Sequence, residues 1–141
     1  MWLPAVILLA SAAPFIFAGS EWDGYVSGTL LGSGNIAKAA ICGLDGVIWA
    51  KSDNFNIGAD EVAAIAEAFG NQPSSLKFEG KAYMILRANA EQIQGREGSG
   101  GFVACKTNKA VIISLYTNAM SPERCAEVTQ NFADFLKSSN Y

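Results

Sequence analysis

Residues 39–50 read AAICGLDGVIWA, two apolar runs joined by the dipeptide Asp45-Gly46. Asp-Gly between apolar runs is the strongest short-range signal for a β-hairpin, because a type I′ turn needs positive φ at both of its central residues. The stretch therefore predicts strands over residues 37–44 and 47–50, a tight turn at Asp45-Gly46, and Trp49 on the second strand.

The sequence outside this hairpin predicts a helix at each end of the domain. Acidic residues directly after Ser20 suit a helix N-terminus, and the pattern ends at the glycines of residues 32–34. Ser121-Pro122-Glu123 supplies an N-cap, a proline at N1 and an acid for the last helix. The inner face of the first helix is expected at Trp22, Tyr25, Val26, Thr29 and Leu30, and that of the last at Cys125, Val128, Phe132 and Leu136.

Between these helices the pattern predicts a small helix and then closely spaced strands. The helix covers residues 60–69, and the strands cover 76–78, 82–88, 91–94, 101–106 and 110–116. Short connections between consecutive strands favour an antiparallel meander. The prediction is one α+β domain with a helix at each end, an antiparallel sheet between them, and a small helix inserted after the first hairpin.

Composition favours a binding module over an enzyme. The chain has 141 residues, enough for one domain, and half of them are hydrophobic. Its net charge of −3 argues against nucleic acid as a partner, which needs clustered positive charge. The chain contains no histidine, which excludes Ser-His and Cys-His catalysis and His-ligated metal sites. We expect no catalytic residue, no metal and no cofactor.

The three cysteines are expected to be buried, reduced and structural. Cys42, Cys105 and Cys125 form no C-x-x-C motif, and an odd number does not make a disulfide framework. A thiol nucleophile would also need a nearby base.

The glycine-rich segment 95–101, GREGSGG, predicts a flexible hairpin turn over residues 95–100 and not a phosphate loop. A phosphate loop would end in lysine and Ser/Thr and open into a helix, whereas this segment opens into a strand and contains Glu97. The acidic pair Asp60-Glu61 is interpreted as helix-start charge and not as a catalytic pair.

The first twenty residues carry no charge, and residues 3–17 are almost wholly apolar. Three interpretations stay open: a secretory signal without its basic region, a membrane tether weakened by Pro4 and Pro14, or upstream sequence absent from the working protein. In each case residues 1–19 form a hydrophobic N-terminal extension and the folded domain spans residues 20–141.

Aromatic residues near both chain ends predict a binding groove. Trp22 and Tyr25 share a helix face, Phe135 lies off the centre of the last helix's buried stripe, and Tyr141 is the final residue. If the terminal helices pack side by side, these rings meet over Trp49. Rings with Trp N–H and Tyr O–H donors at their edge hold polyproline II segments. From spacing alone, an ordinary core edge remains the alternative.

Several segments resemble the profilin family, and the resemblance covers essentially all of residues 20–141. Residues 20–26, SEWDGYV, resemble the N-terminal opening of profilins, and residues 39–50 resemble their A-A-I-x-G-x-D-G-x-x-W-A hairpin. Further matching segments recur in the expected order: Gly98–Gly101, Lys106-Thr107, residues 110–116, Met120-Ser121-Pro122 and Ala133–Leu136.

The resemblance implies a profilin fold, a central antiparallel sheet with the N- and C-terminal helices side by side on one face and a short helix on the other. It implies a monomeric regulator of the actin cytoskeleton in the cytoplasm. Such a protein binds monomeric actin, limits nucleation, promotes exchange of actin-bound nucleotide and delivers subunits to barbed ends. A separate surface binds proline-rich segments of proteins such as formins.

Carried over residue by residue, the resemblance also implies sites. The proline-rich ligand would contact Trp22, Tyr25, Trp49, Phe135 and Tyr141. Actin would contact Lys81, Arg87, Arg96, Lys106, Asn118, Arg124 and Glu127. Phosphoinositide binding is expected to be weak, because Glu97 stands beside Arg96 where many profilins carry two bases, which leaves Arg96 and Lys137 as candidates.

The apolar N-terminus keeps a second function open. A secreted or membrane-tethered domain could use the same scaffold for a different ligand, although three unpaired cysteines fit an oxidising compartment poorly. Because actin is cytosolic, the prediction is a cytoplasmic protein.

Overall fold

The computed structural model describes residues 19–141, so the extension predicted for residues 1–19 lies almost wholly outside the described residues. Its strands are β1 (Lys38–Gly43), β2 (Ile48–Lys51), β3 (Ser75–Phe78), β4 (Lys81–Ala88), β5 (Gln92–Glu97), β6 (Gly100–Lys106) and β7 (Ala110–Tyr116). They form one sheet in the order β2-β1-β7-β6-β5-β4-β3, and every neighbouring pair is antiparallel. The predicted antiparallel sheet is confirmed.

Helical segments open and close this part of the chain. The first is α1 (Gly19–Gly24), which continues as a π-helical segment over Tyr25–Leu30 and a 3-10 turn over Leu31–Ser33. The others are α2 (Ala59–Ala68) and α3 (Pro122–Ser138). The Ser121 hydroxyl caps α3 as predicted, accepting a hydrogen bond of 3.2 Å from the Arg124 N–H. Between residues 19 and 141, no helix has the length and apolar character needed to cross a membrane.

Hydrophobic cores lie on both faces of the sheet. The first helical segment and α3 cover one face, where Val26 and Phe132 pack with strand residues such as Ile112. On the opposite face, α2 contributes residues such as Val62 to the core around Phe102. The predicted α+β fold, with the terminal helices on one face and the short helix on the other, is confirmed.

Two predicted helix faces need correction. Thr29 is exposed, because the wider hydrogen-bond spacing of a π-helical segment turns it away from the face shared by Trp22, Val26 and Leu30. In α3, Thr129 and not Val128 is fully buried. The Thr129 hydroxyl donates to the Cys125 carbonyl (2.7 Å) and is hydrogen-bonded to the Ser114 hydroxyl (2.8 Å), so its burial leaves no polar atom unsatisfied.

The turn of the first hairpin is longer than predicted. Only Gly46 has a positive φ, of 91°, and Asp45 does not. The Gly43 N–H donates to the Val47 carbonyl and the Gly46 N–H donates to the Gly43 carbonyl, which closes a three-residue connection. This is the type I turn followed by a left-handed glycine that three-residue hairpins adopt. The Asp45 carboxylate accepts a hydrogen bond from the Val47 N–H (3.2 Å) and stabilises this form.

The glycine-rich segment is mostly strand, so the prediction of a turn over residues 95–100 was wrong. β5 continues to Glu97, and only Gly98 and Ser99 separate it from β6. Gly95 is required by packing, because a Cβ there would meet the ring of Phe102 and the Met84 carbonyl at 2.9 Å. Gly95 is therefore needed for close packing inside the sheet. The sequence pattern does not distinguish a glycine needed for packing from one needed for a turn.

Candidate functional site

Four rings from the two ends of the domain converge with Trp49 of the first hairpin on one side of the sheet, as predicted. The Trp22 ring centroid lies 4.9 Å from that of Trp49 and 5.2 Å from that of Tyr141. Trp22 also lies 6.1 Å from Tyr25, which in turn lies 5.7 Å from Phe135. These five residues form one connected surface, called the aromatic groove below.

The aromatic groove combines buried and accessible rings. Trp22 is only 6% exposed and Tyr141 9%, whereas Phe135 is 43% exposed, and Tyr25 and Trp49 are half-buried. Phe132 is buried and lies 5.2 Å from Tyr25 and 6.1 Å from Phe135, so it supports both of these rings from the core side. Sequence analysis placed Phe132 in the core but missed this supporting role, which its position three residues before Phe135 could have indicated.

Trp49 is held by the hairpin that carries it. Its indole Nε1 would stand 3.0 Å from a Cβ at Gly43, so glycine at this position lets the ring lie against the opposite strand without displacement. In the part of the chain that the structure describes, this indole N–H has no hydrogen-bond acceptor. It is therefore a donor available to a ligand.

The last residue is anchored through its backbone. The Tyr141 N–H donates to the Leu136 carbonyl (2.8 Å). Its main-chain oxygen accepts hydrogen bonds from the buried Thr107 hydroxyl (2.9 Å) and from the Lys109 N–H (2.7 Å). The β6–β7 turn thus fixes a ring that belongs to the aromatic groove. Sequence analysis assigned Thr107 no role.

Three of the residues predicted to contact actin line one shallow groove of about 640 Å³. Arg87 of β4 faces Arg124 and Glu127 at the start of α3, across the side chains of Gln92 and Gln94. Lys81 and Asn118 line a separate hollow of about 430 Å³ beside Tyr116, at the ends of the strands. Arg96 lies close enough to Tyr116 to oppose the rise in the Tyr116 pKa that burial causes.

Sequence analysis missed two exposed apolar side chains on this side of the sheet. Met84 is 67% exposed and Leu86 58% exposed, and Met84 pairs across the strands with Arg96. β4 carries buried or half-buried residues at Tyr83 and Ile85, so its apolar residues point to both faces. A strand near the edge of the sheet with apolar residues on both faces is the sequence signal that would have identified Met84 and Leu86.

The structure does not bring the remaining basic candidates together. Lys106 and Lys137 line a hollow of about 330 Å³ at the opposite end of the sheet, where Lys137 pairs with Glu91 at 3.3 Å. Arg96 lies five residues along from Glu91, about 16 Å away on an extended strand. Lys106 is therefore separate from the Arg87 groove, and the two phosphoinositide candidates do not share a site.

The thiols and carboxylates show no catalytic arrangement within residues 19–141. All three cysteines are buried and unpaired, and burial raises the pKa of each thiol to about 12. The same residues contain no group of three or more Cys, Asp or Glu side chains that could hold a metal ion. Asp60 and Glu61 lie in the first turn of α2, as predicted.

An antiparallel sheet with both terminal helices on one face and α2 on the other, and an aromatic groove beside the terminal helices, is the architecture of a small α+β domain. The chain belongs to the profilin family, because the family model Profilin matches residues 20–141. Profilins are actin-binding regulators of the cytoskeleton and not enzymes, so the predictions of the family and of a non-enzymatic protein are confirmed.

Named relatives share most of the chain. Profilin-3 of Caenorhabditis elegans is 42% identical over 125 residues, covering 86% of this chain and 99% of the relative. The solved structure of Acanthamoeba castellanii profilin IB has a TM-score of 0.82 at 34% identity, covering 85% of this chain and 99% of that one. LokiProfilin2, solved in complex with rabbit actin, has a TM-score of 0.72 at 22% identity, covering 84% and 96%, and shows a shared fold.

Proposed function

We propose that this profilin binds monomeric actin through the face around Arg87 and Met84, and proline-rich segments of proteins such as formins through the aromatic groove. Binding of this kind limits spontaneous nucleation, promotes nucleotide exchange on actin and delivers subunits to barbed ends. The protein acts as a monomer in the cytoplasm, where its three unpaired cysteines stay reduced.

The spacing of the rings carries the proposal for proline-rich ligands. From Tyr141 through Trp22 and Tyr25 to Phe135, successive ring centroids stand 5.2, 6.1 and 5.7 Å apart. Two residues of a polyproline II helix advance roughly 6 Å along its axis. Successive rings are therefore spaced to contact every second residue of such a ligand. The Trp49 indole N–H supplies a donor for the exposed carbonyls that this conformation leaves unpaired.

A protein partner of mixed polarity fits the other face. Exposed Met84 and Leu86 lie beside the charged groups of Arg87, Arg96 and the start of α3. Apolar contact area with a charged rim is the usual composition of a transient protein interface. LokiProfilin2, which has the same fold, binds rabbit actin in its solved complex, so the fold is compatible with that partner.

The two surfaces can be tested separately with two variants. Trp49→Ala removes a half-buried ring from the aromatic groove, and Arg124→Glu reverses an exposed charge at the start of α3. We expect Trp49→Ala to weaken binding of poly-L-proline, measured by tryptophan fluorescence, at least tenfold while actin sequestration is unchanged. Arg124→Glu should weaken actin sequestration and leave poly-L-proline binding unchanged. If each variant weakened both, or neither, the assignment of two separate sites would be wrong.

Phosphoinositide binding stays a prediction, and we expect it to be weak. Arg96 lies near the end of β5, whereas Lys137 of α3 is paired with Glu91, which directly precedes the start of that strand. A headgroup would have to bind at one of these isolated cations. Vesicles containing a phosphoinositide should therefore compete poorly with actin, and the loss of either cation alone should have little effect.

A further inference from the structure

A lysine stands at one end of the aromatic groove. The Lys109 ammonium lies 5.5 Å from the centroid of the Tyr141 ring, within the range of a cation–π contact. Tyr141 is the end of the ring series opposite Phe135, and it also contacts Trp49 at 6.0 Å. A chain that follows the rings past Tyr141 therefore reaches Lys109.

Backbone contacts fix Lys109 at this place. Its N–H donates to the Tyr141 main-chain oxygen (2.7 Å), and its carbonyl accepts a hydrogen bond from the Leu44 N–H (3.3 Å). The turn that carries Lys109 is thereby tied both to the last residue of the chain and to the first hairpin. The fold therefore fixes the backbone position from which the Lys109 side chain extends.

Lys109 contacts an aromatic ring, whereas two other lysines pair with carboxylates. Lys38 pairs with Glu79 and Lys137 pairs with Glu91. Among the described residues no carboxylate side chain lies within ion-pair distance of Lys109, whose contact is with a ring. The Asp45 carboxylate, next to Leu44 in the chain, accepts a hydrogen bond from the Val47 N–H within the hairpin turn. The positive charge at this end of the groove is thus available to a ligand.

The surface next to Lys109 also favours continued contact with a ligand. Leu44, hydrogen-bonded to Lys109, is 39% exposed. Val47 is 55% exposed and precedes Trp49 by two residues, so it lies on the same face of the hairpin. A bound segment that leaves the rings here passes apolar side chains and a cation.

We propose that the aromatic groove prefers proline-rich segments that carry an aspartate or glutamate directly beside the proline run, with Lys109 as the residue that selects the acid. The proposal rests on the proposed function, since it specifies the ligand of the same site. Charge complementarity at the edge of an apolar contact acts mainly on selectivity and association rate.

The test compares peptides on the full chain. Peptides of about ten prolines are made with two glutamates, two glutamines or two lysines at one end, and both ends blocked. At low salt we expect the glutamate peptide to bind about two- to fivefold more tightly than the glutamine peptide, as for an exposed ion pair, and the lysine peptide to bind less tightly. This preference should shrink as ionic strength rises.

Variants of Lys109 test whether its side chain causes the preference for the glutamate peptide. Lys109→Met should abolish the preference for glutamate while leaving the glutamine peptide bound, and Lys109→Arg should retain it. Lys77→Met is the matched control, because Lys77 is exposed on β3, at the sheet edge opposite the first hairpin, and should not change the preference. A preference that is absent, or that survives in Lys109→Met, overturns the inference. Failure of the glutamine peptide to bind the unmodified chain would instead overturn the proposed proline-binding function, and the inference with it.

Discussion

The carboxylate of Glu61, in the first turn of α2, accepts a hydrogen bond of 2.8 Å from the backbone N–H of Glu79 in the β3–β4 turn. Its other oxygen accepts one of 2.9 Å from the Gly80 N–H. Glu79 and Gly80 both have positive φ, of 56° and 79°, which is the type I′ geometry predicted for the first hairpin. A carboxylate bound to both N–H groups holds a non-glycine residue in this costly conformation.

Replacing Glu61 should therefore destabilise the chain without touching either binding surface. We expect Glu61→Ala to lower the free energy of unfolding by about 1–2 kcal/mol, because the N–H groups of Gly58, Glu79 and Gly80 all lose a charged acceptor. Glu67→Ala, at an exposed position on the same helix, is the control and should change it by less than about 0.5 kcal/mol. Urea denaturation measures both. Equal effects of the two variants would show that the turn does not depend on Glu61.

Glu79 should make stability depend on pH. Burial alone would raise its pKa, but the hydrogen bond and charge of Lys38, the Asn56 N–H and the charge of Lys81 outweigh burial and leave the pKa lowered. The folded chain therefore binds fewer protons than the unfolded chain, and this stabilisation is present above the unfolded pKa and lost as pH falls through the folded one. We expect Glu79→Gln to cost about 1 kcal/mol at neutral pH and clearly less at pH 3. A cost that is the same at both pH values would contradict this coupling.

A type I′ turn was predicted at Asp45-Gly46 but is found at Glu79-Gly80. This difference shows which features of the fold can be predicted from local sequence and which cannot. Helices and strands followed from local periodicity, so their existence was predictable and their ends were correct to within a few residues. The conformation of Glu79 depends on Glu61, 18 positions away, and on Lys38, 41 positions away, which local pattern does not contain. Likewise, spacing placed Trp22 and Tyr25 on one helix face, but only packing decides that Tyr141 lies 5.2 Å from Trp22.

The three thiols should be unreactive in the folded chain. Burial raises the pKa of Cys42, Cys105 and Cys125 to about 12, so the thiolate fraction at pH 8 is on the order of one in ten thousand. We expect a thiol-specific chromogenic reagent to label none of them within minutes at pH 8, and all three after guanidinium is added. Rapid labelling of one cysteine in the native chain would show local opening at that position.

Alanine variants of Trp22 and Phe135 should distinguish a loss of stability from a loss of ligand affinity. Trp22 belongs to the core, so Trp22→Ala should cost about 3–5 kcal/mol of stability. Phe135 is 43% exposed, and Phe135→Ala should cost less than about 1 kcal/mol. Both variants should weaken poly-L-proline binding, but only the loss in Phe135→Ala reports the groove directly, because the fold stays intact. Unchanged binding by folded Phe135→Ala, measured by fluorescence titration beside denaturation curves, would exclude Phe135 from the groove.

Gly43 should affect ligand binding in the aromatic groove through the position of the Trp49 ring. A Cβ at this position would stand 3.0 Å from the Trp49 indole Nε1 and 2.6 Å from the Asp45 carboxylate, so Gly43→Ala forces the indole outward and the flexible Asp45 side chain aside. We expect poly-L-proline affinity to fall several-fold with a stability loss of about 1–3 kcal/mol, the usual cost of overpacking. Gly28→Ala is the control, because a Cβ there meets no atom within 4 Å and alanine favours a helix. Fluorescence titration and urea denaturation of both variants test this directly: full affinity in Gly43→Ala would mean that the orientation of Trp49 does not matter for the ligand.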